Sequence, residues 1–228
     1  MKCTILSVGT ELLFGSILNT NTAYLSQQMV QIGIDVMYHM TVGDNPQRLK
    51  EMIQHAYKDC DLIIATGGLG PTQDDLTKET IAGVFGERVV SFPDQLAILQ
   101  AHFKKYNRVM SDNNLKQANF PEHASILPNP NGTAPGFMLE KEEKLIISMP
   151  GPPNEMIPMF EQHVRPLLEQ RSDGVLYYKT LRVMELGESM LETQVMDLIE
   201  AQTDPTLATY ASNYESTLRI ASKRKTRA

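Results

Sequence analysis

Along the first ninety residues, short apolar runs alternate with stretches in which apolar residues recur every three or four positions. Residues 3–8 form an apolar run closed by Gly9, which predicts a buried strand. Leu25, Met29 and Ile32 share one helical face, with Asn19, Thr20, Asn21 and Thr22 as N-cap candidates and Gly33 placed as a C-cap. Residues 34–42 read as a second strand. A helix follows Asn45 and Pro46, with Leu49, Met52, Ile53 and Ala56 on its apolar face. Residues 61–66 give a third buried strand, and beyond a glycine-rich loop Ile81, Val84 and Phe85 mark another helix. This alternation predicts an α/β fold, a three-layer α-β-α arrangement around a mostly parallel sheet with helices on both faces.

The pattern then loosens. Leu96, Leu99, Phe103 and Tyr106 make a helix face after Pro93, and the polar stretch 107–119 has room for a short helix. Residues 127–136 are too dense in Pro, Asn and Gly for regular structure. Strands at 137–140 and 144–148 flank a charged turn, Lys141-Glu142-Glu143, and a rigid segment from Met149 to Pro153 leads into a helix over 154–170. A boundary falls near 171–174. Beyond it come a strand over 175–186, a helix face of Leu191, Val195, Leu198 and Ile199, and a strand over 217–222. The chain thus divides into 1–170 and 175–228, the second part being short for an independent core.

Composition removes several function classes. The net charge of −6 over 228 residues argues against non-specific nucleic-acid binding, which needs surplus Lys and Arg to neutralise phosphates. The one basic run, Lys223-Arg224-Lys225-Thr226-Arg227, reads as a solvated end. Two cysteines, Cys3 and Cys60, without a Cys-x-x-Cys, predict buried thiols rather than a zinc site or disulfide scaffold. No run is long enough to span a membrane, and the first residues do not form a signal peptide. A cytoplasmic location is expected.

The chemistry concentrates after the third strand, in Gly67-Gly68-Leu69-Gly70-Pro71-Thr72-Gln73-Asp74-Asp75. Glycines there allow a close backbone approach, and a strand end leading into a helix is a place for an anion. Asp74 and Asp75 stand where the helix should start. Either can be its N-cap, or the pair can place Mg²⁺ against phosphate oxygens. Gln73 breaks the dinucleotide fingerprint, no Gly-Lys-Ser or Gly-Lys-Thr makes a Walker loop, and no Gly-x-Ser-x-Gly occurs. His39, His55, His102, His123 and His163 lack metal-ligand spacing. In a parallel sheet Gly9-Thr10-Glu11 and Gly43-Asp44-Asn45 emerge on the same edge as the glycine loop. Glu11 and Asp44 are therefore further candidates for ligand or metal contact, with helix capping as the alternative role for Asp44.

Four segments together carry a family resemblance: residues 9–21, residues 67–77, Asn131-Gly132-Thr133-Ala134-Pro135-Gly136, and Pro150-Gly151-Pro152-Pro153-Asn154-Glu155-Met156. In order and spacing the chain resembles the CinA competence/damage-inducible family. The first domain is similar to the molybdopterin-binding (MoaB/Mog) domain. The second resembles a KH-like domain through Leu181-Arg182, Gly187-Glu188-Ser189, Tyr210 and Leu218-Arg219.

What the resemblance implies is a metal-dependent ADP-ribose pyrophosphatase that releases AMP and ribose 5-phosphate. It implies a divalent ion (Mg²⁺, Mn²⁺ or Co²⁺) on Asp74 and Asp75, K⁺ as an optional second ion, and a homodimer. Catalysis falls to Asp74, Asp75 and Asp44. Substrate contacts fall to Gly9, Thr10, Glu11, Asn21, Gly67, Gly68, Gly70, Thr72, Asn131, Gly132, Thr133, Gly151, Glu155 and Arg182. Lys78 and Arg182 are the cations available to offset developing charge. The family's C-terminal nicotinamide mononucleotide deamidase domain has no counterpart, and the KH-like part is expected to be cut short at Ala228. The rival readings are a non-catalytic nucleotide- or molybdopterin-binding module and a molybdenum-cofactor adenylyl or pterin enzyme. The KH-like part has no Gly-x-x-Gly loop, so nucleic acid is not an expected partner.

Overall fold

A computed structural model describes residues 1–172, 174–212 and 215–224. The chain divides into two compact units, one of residues 1–29 and 34–171 and the other of residues 30–33 and 172–228.

In the first unit β1 (Lys2–Val8) runs into a single helical turn, α1 (Thr10–Leu13), and then α2 (Thr20–Ile32). There follow β2 (Asp35–Val42), α3 (Pro46–Asp59), β3 (Leu62–Thr66) and α4 (Thr77–Phe85). A small sheet of β4 (Val89–Ser91) and β5 (Asn119–Pro121) brackets α5 (Pro93–Lys105) and a 3₁₀ segment, Asp112–Ala118. The unit continues with β6 (Ser125–Leu127), β7 (Gly136–Lys141), β8 (Lys144–Met149), α6 (Pro153–Met159), a π segment (Phe160–Val164) and α7 (Arg165–Arg171).

The main sheet has the order β2-β1-β3-β8-β7-β6; β2, β1, β3 and β8 are parallel, β7 runs antiparallel to β8, and β6 pairs antiparallel to β7 and so returns to the common direction. Every residue of β3 is buried, as a strand covered on both faces requires. Leu6, Ile63, Ile146, Ile53, Ile81, Phe85 and Phe137 meet in the main core. Chain order reverses between β1 and β3, since β2 lies on one side of β1 and β3 on the other. A crevice is expected outside the carboxyl ends of two such strands.

The N-cap side chains fall where the sequence places them. Asn19 accepts from Thr22 N at 3.1 Å and Asn45 from Arg48 N at 3.0 Å. The hairpin between β7 and β8 turns on Glu142 and Glu143, with φ of 51° and 64°, the left-handed backbone of a two-residue turn that follows strand twist. Three expectations change. The helix over 154–170 is interrupted by the π segment after Pro158, which lacks an N–H and crowds the preceding turn. The short strands β4, β5 and β6 carry too few residues for a readable period. The helix after the glycine loop starts at Thr77 with Leu76 as N-cap, so neither Asp74 nor Asp75 caps it.

The second unit contains β9 (Val175–Met184), α8 (Glu188–Gln194), α9 (Met196–Glu200), β10 (Thr206–Ser212) and β11 (Glu215–Arg224), with sheet order β10-β11-β9, all pairs antiparallel. β10 is an additional strand that the apolar pattern does not mark, because Thr, Tyr and Ala dominate it. Of the basic terminal run, Lys225, Thr226 and Arg227 lie outside the described residues. Among the described residues, no helix is long and apolar enough to cross a membrane. Cys3 and Cys60 are both buried thiols.

Candidate functional site

A cavity of about 440 Å³ opens at the carboxyl ends of β1 and β3, where the strand order reverses. Gly67, Gly68, Leu69 and Gly70 form its floor. Gly67 holds φ +99° and Gly68 φ +66°; a Cβ on either would come within 2.1 Å of Val8 O or Thr77 Oγ1 respectively. The loop therefore lies flat against the end of β1 because those positions are glycine. Thr77 ties it to α4, its hydroxyl donating to Gly67 O at 3.1 Å and its N–H to Gly68 O at 3.3 Å. Gly67 N donates to Met149 O. Among the described residues the N–H groups of Gly68, Leu69 and Gly70 have no acceptor within the protein. Consecutive unpaired amides at a strand end are the elements of an anion cradle.

Carboxylates ring this floor. Asp44 reaches the cavity from the end of β2, and its Oδ2 accepts from Thr10 N at 2.9 Å and Thr10 Oγ1 at 2.7 Å. Asp75 is held alike: its Oδ2 accepts from Thr72 N at 2.9 Å and Thr72 Oγ1 at 2.6 Å. Each threonine thus fixes one oxygen of its aspartate. Asp74 is exposed, lines the cavity and has no hydrogen-bond partner among the described residues. Glu11 lines it too, folded over Gly9. Glu155 enters from α6 and accepts from Asn129 Nδ2 at 2.6 Å.

Gly9, Gly151 and Thr133 line the cavity, whereas Thr10 acts behind it through Asp44. Gly132 packs on Glu155 and lines a neighbouring pocket. Asn131 is outside the lining, and its amide donates to Asn154 O at 2.9 Å. Asn21 lines an adjoining chamber. Arg182 lies in the second unit, on β9, and faces Glu215 at 3.8 Å. Gln117 is a lining residue that sequence reasoning missed; it donates to Thr133 Oγ1 at 3.1 Å. Nothing in the polar stretch around it signals a ligand contact.

Two lysines brace the loop from behind. Lys116 Nζ donates to Thr72 O at 3.0 Å and to Asp75 O, and Lys78 Nζ donates to Lys116 O at 2.7 Å. Lys78 is 1% exposed and its ammonium lies 4.6 Å from the centre of the Phe120 ring. It positions the loop and is not a free cation in the cavity. Burial lowers its pKa from 10.5 to about 8, with Lys116 also lowering it while Glu79 and Asp75 oppose the shift. Below pH 8 both folded and unfolded chains carry this charge, and the burial penalty is fully present. Between about 8 and 10.5 the unfolded state holds more protons, so this group makes stability rise with pH. Urea midpoints at pH 7 and pH 10 check this: the wild type is expected to gain on Lys78→Met as pH rises, and a constant gap refutes it.

Among the described residues, no three His, Cys, Asp or Glu side chains gather into a preformed metal cage. Asp74 with the second oxygen of Asp75 suits an ion that takes its other ligands from phosphate oxygens and water, as Mg²⁺ commonly does.

The family model described as "Probable molybdopterin binding domain" matches residues 4–170, and that of the damage-inducible protein CinA KH domain matches residues 178–228. The chain is 50% identical over 227 residues to a CinA-like protein of Dictyoglomus turgidum, covering 100% of this chain and 55% of that relative. A CinA-like protein of Dictyoglomus thermophilum is 49% identical over the same length, again with 55% of the relative covered. The chain spans about half the length of the curated relatives it matches. The crystal structure of CinA from Thermoplasma acidophilum, described as of unknown function, aligns with a TM-score of 0.68 at 31% identity, over 73% of this chain and 97% of that one.

Proposed function

This chain belongs to the CinA family, with a molybdopterin-binding-type domain followed by a CinA KH domain, and from that premise we propose that its first unit is a metal-dependent pyrophosphatase acting on ADP-ribose. The observation that carries this reading is the meeting of three unpaired loop amides with Asp44, Asp74, Asp75 and Glu11 in one cavity. Amides at Gly68, Leu69 and Gly70 bind one phosphate of the diphosphate. Asp74 and Asp75 hold a divalent ion, which when bound supplies Lewis-acid polarisation of the diphosphate and a more acidic water. Asp44, fixed by Thr10, and Glu11 orient the attacking water and accept its proton. The water oxygen joins one phosphorus, the bridging P–O bond breaks, and AMP and ribose 5-phosphate leave. K⁺ as a second ion and a homodimer belong to the same proposal.

The test is product analysis by chromatography after incubating this chain with ADP-ribose and Mg²⁺, Mn²⁺ or Co²⁺. AMP formation above a chelator control is expected, and none with any of the three ions overturns the reading. The match to a molybdopterin-binding model favours a second reading, in which the same cradle binds a nucleotide or pterin without cleaving it. Calorimetric binding of ADP-ribose without AMP release would select it.

A further inference from the structure

The polar stretch around the 3₁₀ segment Asp112–Ala118 is tied down along its length. Ser111 N and Oγ donate to Asn114 Oδ1 at 3.1 and 2.8 Å. Asn114 Nδ2 donates to Gln117 Oε1 at 3.1 Å, which leaves Gln117 Nε2 to reach Thr133 in the cavity wall. Lys78 Nζ holds the carbonyl of Lys116 itself. The Lys116 side chain therefore leaves from a fixed backbone, and it is only 20% exposed.

That side chain ends on the turn that carries the aspartates. Thr72, Gln73, Asp74 and Asp75 make the turn, with Asp74 near its tip. Its own backbone bond, from Asp75 N to Thr72 O, is 3.3 Å long, outside the ~2.7–3.2 Å usual for N–H···O. The Lys116 ammonium spans the same two residues, donating to Thr72 O at 3.0 Å and to Asp75 O. Bonds from an ionised donor are the stronger kind, so the lysine rather than the turn's own amide closes it. Adjacent Asp74 and Asp75 repel each other, and a cation bonded to the turn offsets that repulsion. Lys116 does not line the cavity, and Glu79 Oε1 lies 3.9 Å from its ammonium.

We propose that Lys116 is a positioning residue for the divalent ion: by clamping the first and last carbonyls of the 72–75 turn it sets the spacing of the Asp74 and Asp75 carboxylates, and through them the affinity of the ion. It touches neither ion nor substrate. The inference rests on the ion site described under Proposed function, but does not require that ADP-ribose be cleaved. Two effects of the lysine oppose each other. Its charge repels a divalent ion, which would weaken binding, while its bonds hold the ligands in place, which strengthens it. The repulsion is screened by salt and shared with Glu79, so the bonds decide the sign.

Electron paramagnetic resonance of free Mn²⁺, titrated against the chain with AMP present, tests this on the wild type, Lys116→Met and Asp74→Ala. Partners that orient metal ligands typically contribute about 10–100-fold in affinity, and Lys116→Met is expected to weaken Mn²⁺ by that factor. Asp74→Ala should abolish specific binding. Thermal melts on the same preparations establish that the variants are folded; a lysine with a structural role alone would leave the Mn²⁺ affinity of the folded variant unchanged. Unchanged or tighter Mn²⁺ binding in Lys116→Met, with binding lost in Asp74→Ala, overturns the role of Lys116 while the ion site stands. No Mn²⁺ binding by the wild type, or full binding by Asp74→Ala, overturns the ion site and this inference with it. If Lys116→Met does not fold, Lys116→Gln serves instead. It keeps a donor but is too short to span both carbonyls, and unchanged Mn²⁺ affinity there refutes the proposal.

Discussion

Asp74→Ala is expected to lower ADP-ribose turnover by about 10³-fold while leaving the fold unchanged. The figure corresponds to the several kcal/mol of charge stabilisation that a held cation contributes to phosphate chemistry. The expectation of an intact fold comes from the side chain's surroundings. Asp74 is exposed, makes no hydrogen bond among the described residues and caps no helix. Such a surface change typically alters stability by no more than about 0.5 kcal/mol, or about 2 °C in Tm for a chain of this size. Asp75→Ala would be a poorer probe, because it also removes the acceptor of Thr72 N and Oγ1 and loosens the loop. Single-turnover assays with thermal melts on the same preparation check both halves of the prediction. Unchanged turnover in Asp74→Ala removes that residue from the reaction.

Gly67→Ala carries the largest expected stability effect. At φ +99° an alanine backbone is strained, and its Cβ would sit 2.1 Å from Val8 O in a central strand that cannot retreat. Backbone strain of about 1–3 kcal/mol adds to overpacking of similar size, giving about 2–5 kcal/mol in all. Against a typical stability of about 5–15 kcal/mol this is a large fraction, and Tm should fall by about 5–15 °C. Gly83 is the control. It lies inside α4 with nothing within 4 Å of an added Cβ, so Gly83→Ala should stabilise by about 0.5–1 kcal/mol. Equal melting temperatures for the two variants would mean that the glycine loop is not held against β1 as described.

Local rules carried much of this structure into the sequence. Apolar runs at period two or fully buried, and apolar faces at helical spacing, mark β1, α2, β2, α3, β3, α4 and α5, because each burial pattern is set by neighbours a few residues away. Asn19, Asn45 and Gly33 are legible for the same reason: a cap bonds to its own turn. The glycine loop is legible as an anion cradle because its backbone chemistry is written in its own residues. A strand such as β10 escapes, since pairing with β11 rather than an apolar face holds it.

A parallel sheet already puts Asp44 and Glu11 on the edge of the glycine loop; only the tertiary structure decides how near they come and what each side chain is free to do. The strand order β2-β1-β3 brings both into one cavity with a loop more than twenty residues further along the chain, and no local pattern specifies that order. Asp74 and Asp75 are chemically alike in sequence, yet Thr72 claims an oxygen of Asp75 and leaves Asp74 open. Lys78 is an ordinary helical lysine until Phe120 and Lys116 O enclose it and make it a brace instead of a cation for substrate. Asn21 is one more polar residue at a helix start until its amide N–H donates to Gly151 O and ties the start of α2 to the segment after β8. Residue type sets the chemistry available to the glycine loop; long-range packing, which sums contacts from segments far apart in the chain, assigns the roles around it.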